Sequence, residues 1–260
     1  GGWHDRLLEL GSEKEKGCRN WFRSVRKSLL GEVWSRIKYR SVRKWVWAMR
    51  ETGGGEGAER QGRGRGRPAT FDRDRTIEVA VESYWREGPE GVSLNEICRR
   101  ACVSKPGLYR EFGGEDGLMT AALAYYGTRV VEPMLKMLAT ERPFREVLRE
   151  LVDWITTEHD TPAGCLLARM RATPVRLGES TTAAVEALRD QSRAAYEAWY
   201  ASALARGEVN PAIEPEMAAY FLDTQLTTIL SQMAADEPPT RVRAQADLAF
   251  RSLLPPSDKP

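Results

Sequence analysis

Basic and aromatic side chains of the kind that contact nucleic acid follow a helix-start signal at Ser104. Lys105, Tyr109 and Arg110 lie on the predicted outer face of the helix that begins there. The free N–H groups and positive dipole end of such a helix suit a phosphate. Arg110 carries the planar fork that can bind a guanine bidentately, which is worth roughly 1–3 kcal/mol of discrimination. These residue types predict DNA contacts from one short helix.

A second basic run, Arg63-Gly-Arg65-Gly-Arg67-Pro68, ends a glycine-rich stretch over residues 52–66. Its glycine content predicts a flexible linker. Arginines that alternate with glycine can lie along a narrow minor groove, where the negative potential is deepest. We expect this arm to contact the minor groove or phosphates, and the alternative is a solvated basic linker.

The short helix is the second of two that are predicted within residues 91–118. Ser93 precedes the first helix and Glu96 stands three residues later, which predicts a reciprocal capping box. That helix should stop near residues 102–103. Its apolar positions recur at three- and four-residue spacing and share one face: Leu94, Ile97 and Ala101.

The second helix has clear start and stop signals. Ser104 is its N-cap candidate, and Pro106 falls in the first turn, where a missing N–H costs nothing. Leu108 and Phe112 are predicted to face inward, and Gly113 to end the helix. Two helices with about three residues between them form a helix-turn-helix, whose second helix can enter a major groove. An ordinary αα-hairpin with a polar outer face fits the same pattern.

The order of these residues resembles the DNA-binding domain of the TetR family of transcriptional regulators. The resemblance lies in Ser-Leu-x-x-Ile from Ser93, Val103-Ser104-Lys105, Leu108-Tyr109-x-x-Phe112 and Gly117-Leu118, and it covers roughly residues 70–125. It implies an all-α protein, with an N-terminal three-helix helix-turn-helix DNA-binding domain and a C-terminal helical ligand-binding and dimerisation domain. The expected DNA contacts are Arg63, Arg65, Arg67, Ser93, Ser104, Lys105, Pro106, Gly107, Tyr109 and Arg110.

The resemblance also assigns roles within the second helix and exposes two departures. It implies that Lys105 and Tyr109 hold phosphates, while Arg110 and the first turn lie nearest the base edges. Cys102 occupies the turn position where the family usually has glycine, so a positive φ there carries some strain. Glu115 replaces the lysine that usually grips a phosphate after the helix, and a carboxylate there repels the DNA backbone.

Charge is distributed unevenly along the 260 residues. Residues 1–68 carry 17 Lys and Arg against 8 Asp and Glu, whereas the remainder carries 22 against 29. This asymmetry suggests an anionic partner at one end of the chain. The predicted organisation is a basic Trp-rich extension (1–61), a basic arm (62–69), the DNA-binding domain (70–125, with its helix-turn-helix at 93–112), the ligand-binding and dimerisation domain (126–254) and a tail (255–260).

The extension over residues 1–61 does not match the family, and we expect it to be a flexible segment outside the folded protein. A membrane-surface or partner helix and a nucleic-acid arm are the alternatives. Beyond it only helices are predicted, and Pro133 is expected to kink one of them. The predicted helices span residues 71–88, 93–102, 104–112, 116–138, 144–159, 164–171, 181–205, 215–235 and 239–254.

Two further sets of residues are assigned to the C-terminal domain. Apolar positions of the last two helices follow 4-3-4 spacing and predict a dimer interface that doubles into a four-helix bundle; an intramolecular core is the alternative. Its members are Leu222, Leu226, Ile229, Met233, Val242, Ala246, Ala249 and Leu253. Large apolar and sulfur-bearing residues are candidates for a ligand pocket: Met134, Trp154, Cys165, Met170, Trp199 and Phe221.

Catalytic and metal-binding chemistry finds little support in the sequence. Four cysteines form no C-x-x-C pair, the chain has two histidines, and phosphate-binding loops and a nucleophile elbow are absent. We expect no enzyme activity, no metal and no cofactor, and a reducing cytoplasm as the setting. Cys165 near a helix start raises the hypothesis of an electrophile or redox sensor, with a buried small residue as the alternative.

The sequence therefore predicts a cytoplasmic, homodimeric regulator, a repressor that binds a palindromic operator in double-stranded DNA. A small-molecule effector bound in the C-terminal domain is expected to release it. No membrane association is expected. The alternative from another class is a helical enzyme or small-molecule sensor with a vestigial DNA-binding head.

Overall fold

The computed structural model describes residues 71–157 and 161–256. Within these ranges every regular element is helical, which confirms the all-α prediction. The helices are α1 (Arg73–Gly91), α2 (Leu94–Ala101), α3 (Lys105–Phe112), α4 (Glu115–Tyr126), α5 (Glu132–Leu138), α6 (Phe144–Thr156), α7 (Leu166–Ala172), α8 (Glu179–Ala205), α9 (Pro215–Ala234) and α10 (Pro239–Phe250). The predictions for residues 1–61 and 62–69 lie outside the described residues, as does the end of the helix predicted over residues 144–159.

Helix α1 supports the helix-turn-helix and has well-defined ends. Asp72 caps it by accepting a hydrogen bond from the backbone N–H of Arg75 at 3.0 Å. Gly88 has φ 77°, so the regular helix breaks there and one further turn carries Pro89. The sequence of this helix repeats apolar residues at three- and four-residue spacing, and the structure buries all five: Ile77, Ala80, Val81, Tyr84 and Trp85.

The long helix predicted over residues 116–138 is divided by a wide turn rather than bent at the proline itself. Residues Gly127–Val131 form a π-helical turn, in which the N–H of Glu132 donates to the carbonyl of Gly127. Pro133 then lies in the first turn of α5. Because proline cannot donate to the preceding turn, widening that turn lets the helix continue past it.

The body of the protein is built by α6, α8, α9 and α10 around one apolar core. Phe144, which is fully buried at the start of α6, stacks on Trp199 of α8 with ring centroids 4.2 Å apart. Tyr200 meets the same ring edge-on at 5.8 Å. Offset and edge-on aromatic pairs of this kind contribute about 0.5–1.5 kcal/mol each beyond their burial, so they fix α6 against α8.

The predicted dimer seam is corrected by the structure. Six of its eight residues are buried in the core of this single chain, Met233 packs against that core, and Ala249 is half-buried. The residues at 4-3-4 spacing do share one helix face, but that face packs into the apolar core of the same chain. The assignment to an outward interface is therefore wrong for Leu222, Leu226, Ile229, Val242, Ala246 and Leu253.

Helix α4 and its neighbours join the helix-turn-helix to the body. The indole N–H of Trp85, on α1, donates to the carbonyl oxygen of Gly164 at 3.1 Å. The same ring meets Tyr126 of α4 edge-on, with centroids 4.9 Å apart. These contacts cross the predicted boundary between residues 125 and 126, so the division into two domains stays a prediction.

Candidate nucleic-acid interface

The ends of the two helices in the helix-turn-helix are fixed by side-chain caps and by residues in the left-handed conformation. The hydroxyls of Ser93 and Ser104 each accept a hydrogen bond, at 3.2 Å, from the backbone N–H three residues further on. Between the helices, Cys102 adopts φ 57° and ψ 35° at the C-cap of α2. Gly113 ends α3 with φ 76°. The turn therefore does require the left-handed conformation at Cys102, a position where any Cβ is unfavourable.

The capping box at the first helix is only half formed. Ser93 accepts from Glu96 as predicted, but the Glu96 carboxylate accepts from the guanidinium groups of Arg99 at 2.6 and 2.8 Å and of Arg100 at 2.8 Å. Hydrogen bonds from Arg99 first, and then from Arg100, lower the pKa of Glu96 to about 2. The acidic charge of α2 is thereby neutralised within its own helix.

Helix α3 turns one apolar side inward and a polar side outward. Leu108 is fully buried beneath it, while Lys105, Pro106, Tyr109 and Arg110 are exposed. Tyr109 is 47% exposed, which is unusual for a tyrosine whose only role is to pack against the protein interior. The lysine ammonium lies 5.9 Å from the centre of the Tyr109 ring, a cation–π contact that holds the two side chains together.

One predicted contact is corrected. Gly107 is buried, and its N–H is taken up by the hydroxyl of Ser104. It falls on the flank of α3 next to Leu108, so it does not face the outside with Pro106 and Arg110. Ser93 and Ser104 are exposed at the two helix starts, while Arg63, Arg65 and Arg67 lie outside the described residues.

Within the described ranges, the outward cations of α3 face no acidic partner. Ion pairs connect other residues around them: Arg73 with Glu111 at 3.0 Å, and Arg176 with Glu115 at 3.8 Å. Lys105 and Arg110 form no ion pair among these residues. The surface that α3 presents therefore keeps a positive excess, as a surface that meets phosphates requires.

Sequence reasoning missed the way in which α3 is held by the first turn of α4. Gly117 lies so close to the end of α3 that an added Cβ would stand 1.8 Å from the carbonyl oxygen of Phe112. The neighbouring Asp116 accepts hydrogen bonds from the N–H groups of Ser180 and Thr181 at the start of α8, at 3.1 and 3.0 Å. A Gly-Leu pair in the sequence marked the first contact, but no local signal pointed to the second.

The structure buries some of the predicted pocket residues and exposes another. Met134, Trp199 and Phe221 belong to or pack against the apolar core of the body, and Met170 is fully buried in α7. Trp154 is 42% exposed, so the assignment to an enclosed pocket is wrong for this residue. Trp154 follows Glu146 and Glu150 at four-residue spacing, on the side of α6 that faces away from the core.

Cys165 stands at the start of α7, where its sulfur accepts from the backbone N–H of Ala168 at 3.4 Å. The phenol of Tyr126 donates to the same sulfur at 3.4 Å. Burial raises the pKa of the Cys165 thiol, and it outweighs these hydrogen bonds, which lower it. A thiol with a raised pKa is a poor nucleophile at neutral pH, which favours the structural interpretation of Cys165 over the sensor hypothesis.

Two further features limit the chemistry of the described residues. They contain no group of three or more His, Cys, Asp or Glu side chains that could hold a metal ion. None of their helices is both long and apolar enough to cross a membrane.

A capped pair of short helices, the second carrying exposed cations, is the arrangement of a helix-turn-helix. Residues 77–122 match the family described as bacterial regulatory proteins, tetR family. The chain is 34% identical over 109 residues to the HTH-type transcriptional repressor ComR of Escherichia coli (strain K12), which covers 40% of this chain and 51% of that protein. It is 30% identical over 108 residues to the HTH-type transcriptional repressor BdcR of the same organism, over 41% and 54% of the two chains.

Solved structures extend the similarity to the body. A cysteine mutant of the TetR family transcriptional regulator CifR, complexed with 26-base-pair operator DNA, superposes with a TM-score of 0.63 at 28% identity, over 72% of this chain and 100% of that one. Reduced Escherichia coli NemR gives a TM-score of 0.62 at 17% identity, over 71% and 98% of the two chains, which shows the shared fold alone. The chain spans only about half the length of the curated relatives that it matches. Residues 77–122 therefore resemble the DNA-binding domain of the tetR family, and the body has the fold of the solved regulators of that family.

Proposed function

We propose that this protein is a repressor that binds a palindromic operator as a homodimer, with one α3 helix in each of two successive major grooves. The observation that carries the proposal is the exposed side of α3, where Lys105, Tyr109 and Arg110 stand outward on a helix fixed by Ser104 and Gly113. CifR, which has the same fold, was solved on a 26-base-pair operator, and two relatives are named repressors. On this proposal the protein acts in the cytoplasm.

Within this proposal the exposed residues have separable roles. Lys105 and Tyr109 hold phosphates, because a mobile ammonium and a phenol supply charge and a hydrogen bond without a fixed base-edge geometry. Arg110 reads a guanine, since its fork matches two acceptors on one base. The arm residues Arg63, Arg65 and Arg67 extend the contact into the minor groove. The exposed hydroxyls of Ser93 and Ser104 donate to phosphates while they cap their helices.

The dimer is proposed to form through the exposed faces of α9 and α10, opposite the faces that are buried in the core. Met217 and Tyr220 of α9 and Leu248 of α10 are large apolar side chains that stay exposed in the single chain. Gln232 donates to Gln245 at 2.7 Å and ties the two helices into one surface. Doubling this surface by a two-fold axis gives a four-helix bundle and two heads for two half-sites.

An effector is proposed to bind in the body and to prefer the conformation that does not fit the operator. Candidate contacts are buried and partly buried residues of the body: Met134, Cys165, Met170, Trp199 and Phe221. A thermal-shift screen of small apolar molecules, followed by DNA release from the hits, tests this part. Stabilising molecules that leave DNA affinity unchanged would contradict an effector role.

Selection of bound fragments from genomic DNA, followed by fluorescence anisotropy, tests the DNA-binding proposal. The enriched fragments should share a palindrome and bind about 10³-fold or more tightly than unrelated duplexes at physiological salt. Arg110→Ala should relax the preference at one base pair of each half-site by about 1–3 kcal/mol. Binding that is salt-dependent but blind to sequence would contradict a specific regulator.

A further inference from the structure

The segment that should meet DNA carries two carboxylates as well as two cations. Lys105 and Arg110 are balanced by Glu111 and Glu115 within eleven consecutive residues. A carboxylate on or beside a recognition helix repels the phosphate backbone, and an uncompensated pair of them would cancel the attraction of the two cations. The compensating charges come from outside the helix-turn-helix.

Arg73 compensates Glu111. Its Nε lies 3.0 Å from the Glu111 carboxylate, and its guanidinium carbon lies 5.5 Å from the centre of the Phe112 ring. These two contacts lay the guanidinium against the C-terminal turn of α3. Arg73 is the first residue of α1, where a positive charge is opposed by the helix dipole. Its position is therefore not explained by α1 itself, but by the acidic side chain that it faces.

Arg176 compensates Glu115 from the body through a longer ion pair that is not a hydrogen bond. Its Nη2 lies 3.8 Å from Glu115, at the start of α4 and one residue after the glycines that end α3. Arg176 belongs to a short 3₁₀ turn, Pro174–Arg176, between α7 and α8. It supplies a positive charge at the position where the family resemblance led us to expect a lysine.

We infer that Arg73 and Arg176 are positioning residues for DNA binding that act through Glu111 and Glu115 rather than by contacting phosphates. The inference rests on the proposed function, because it requires α3 to be the surface that meets DNA. The alternative, in which each arginine grips a phosphate directly, predicts a different response to removal of the acidic partner.

A double-mutant cycle separates the two accounts. The probe is a mixed-sequence DNA duplex of roughly 30 base pairs, long enough for two half-sites one helical turn apart, titrated at several salt concentrations. Arg73→Ala should weaken binding about three- to tenfold, because Glu111 is left unpaired beside the phosphates. Adding Glu111→Gln should return the affinity to within about twofold of the parent chain, since the repulsive charge is gone.

Arg73→Lys keeps the charge and should retain the affinity, and thermal unfolding of each variant shows whether it folds. The matched control is Lys136→Ala, which breaks an exposed pair with Glu132 (3.6 Å) on α5 and should leave DNA binding unchanged. The cycle of Arg176→Ala with Glu115→Gln should behave like the first.

The compensation account would be overturned if the double variant bound DNA as weakly as Arg73→Ala alone. In that case the slope of log K against log salt concentration should also be reduced by about 0.9 for the lost phosphate contact. The proposed function would remain intact. A parent chain that fails to bind any duplex would overturn the proposed function and this inference together.

Discussion

The carboxylate of Asp116, in the first turn of α4, caps the N-terminus of α8 through Thr181. The backbone N–H of Thr181 donates to one carboxylate oxygen at 3.0 Å and its hydroxyl donates to the same oxygen at 2.5 Å. The natural N-cap position of α8 is Gly178, which has no side chain to offer. An added Cβ at Gly178 would stand 2.3 Å from the Asp116 carboxyl carbon. The 27-residue helix of the body is therefore capped by a residue of the element that follows α3.

Asp116→Ala is expected to lower the free energy of unfolding by about 2 kcal/mol, because two N–H groups of α8 lose their acceptor. Urea unfolding measures the loss. Adding Gly178→Ser should recover part of it, since a local cap can then form without meeting the carboxylate. A double variant no more stable than Asp116→Ala would show that the cap is not what the residue contributes.

The same residue gives a pH prediction. Burial raises the pKa of Asp116, but hydrogen bonds from Thr181 and Ser180 outweigh it, and the net pKa is lowered. A carboxyl whose folded pKa is lowered contributes stability above its unfolded value near 3.9, and that stability is lost as the pH falls through the folded pKa. Asp116→Asn should make the acid side of the stability curve shallower below about pH 4. If Asp116→Asn leaves the loss of stability at acid pH unchanged, the contribution assigned to Asp116 is contradicted.

Two glycines of the α4 region are expected to respond differently to alanine. Gly117→Ala places a Cβ 1.8 Å from the Phe112 carbonyl oxygen, whereas Gly127→Ala meets only the flexible end of Leu188 at 3.5 Å. The first should cost more than about 2 kcal/mol and displace α3, and the second should stay within about 1 kcal/mol of the parent. Urea unfolding and DNA anisotropy of both variants check this. Equal costs would contradict the close approach of α3 to α4.

Contacts between residues that are close in the sequence could be predicted, whereas contacts between distant segments could not. The caps at Ser93 and Ser104, and the end of α3 at Gly113, involve residues within four positions of one another, and all three were confirmed. The turn at Cys102 was expected from the family resemblance, because the family usually has glycine at that position. Periodicity similarly identified the buried face of α1.

Interactions between distant segments were not predictable in the same way. Asp116 and Thr181 are 65 positions apart, and neither has a local pattern that names the other. The 4-3-4 seams of α9 and α10 showed that each helix has an apolar face, but not whether the body or a second copy covers it. The exposure of Trp154 and the burial of Gly107 depend on the packing of neighbouring helices, which spacing alone does not specify.

The corrected dimer surface leads to a prediction about assembly. Leu248 is 69% exposed in the single chain, so Leu248→Arg should leave folding intact and shift the protein toward monomers. Val242→Ala, one buried position on the same helix, should instead lower stability by about 1–3 kcal/mol without changing the oligomeric state. Sedimentation velocity and thermal unfolding distinguish the two. A Leu248→Arg protein that remains fully dimeric would contradict the interface.

Cys165 is expected to react slowly while the protein is folded. Burial and its raised pKa reduce the thiolate fraction at neutral pH. Mass spectrometry after exposure to iodoacetamide, quinones or aldehydes should find Cys165 modified much more slowly in the native protein than in urea. Tyr126→Phe removes one hydrogen bond to the sulfur and should not raise the native rate to the unfolded one. Rapid native modification at Cys165 would restore the sensor hypothesis.

We propose that the assembly presents α3 outward twice, at a spacing that duplex DNA accepts. Hydroxyl-radical footprinting on the selected genomic fragment measures this spacing. We expect two protected half-sites related by a dyad, with centres about one helical turn apart or a multiple of it, and loss of both when Lys105→Ala and Arg110→Ala are combined. A single unpaired or featureless footprint, or one that the double variant leaves unchanged, would contradict it.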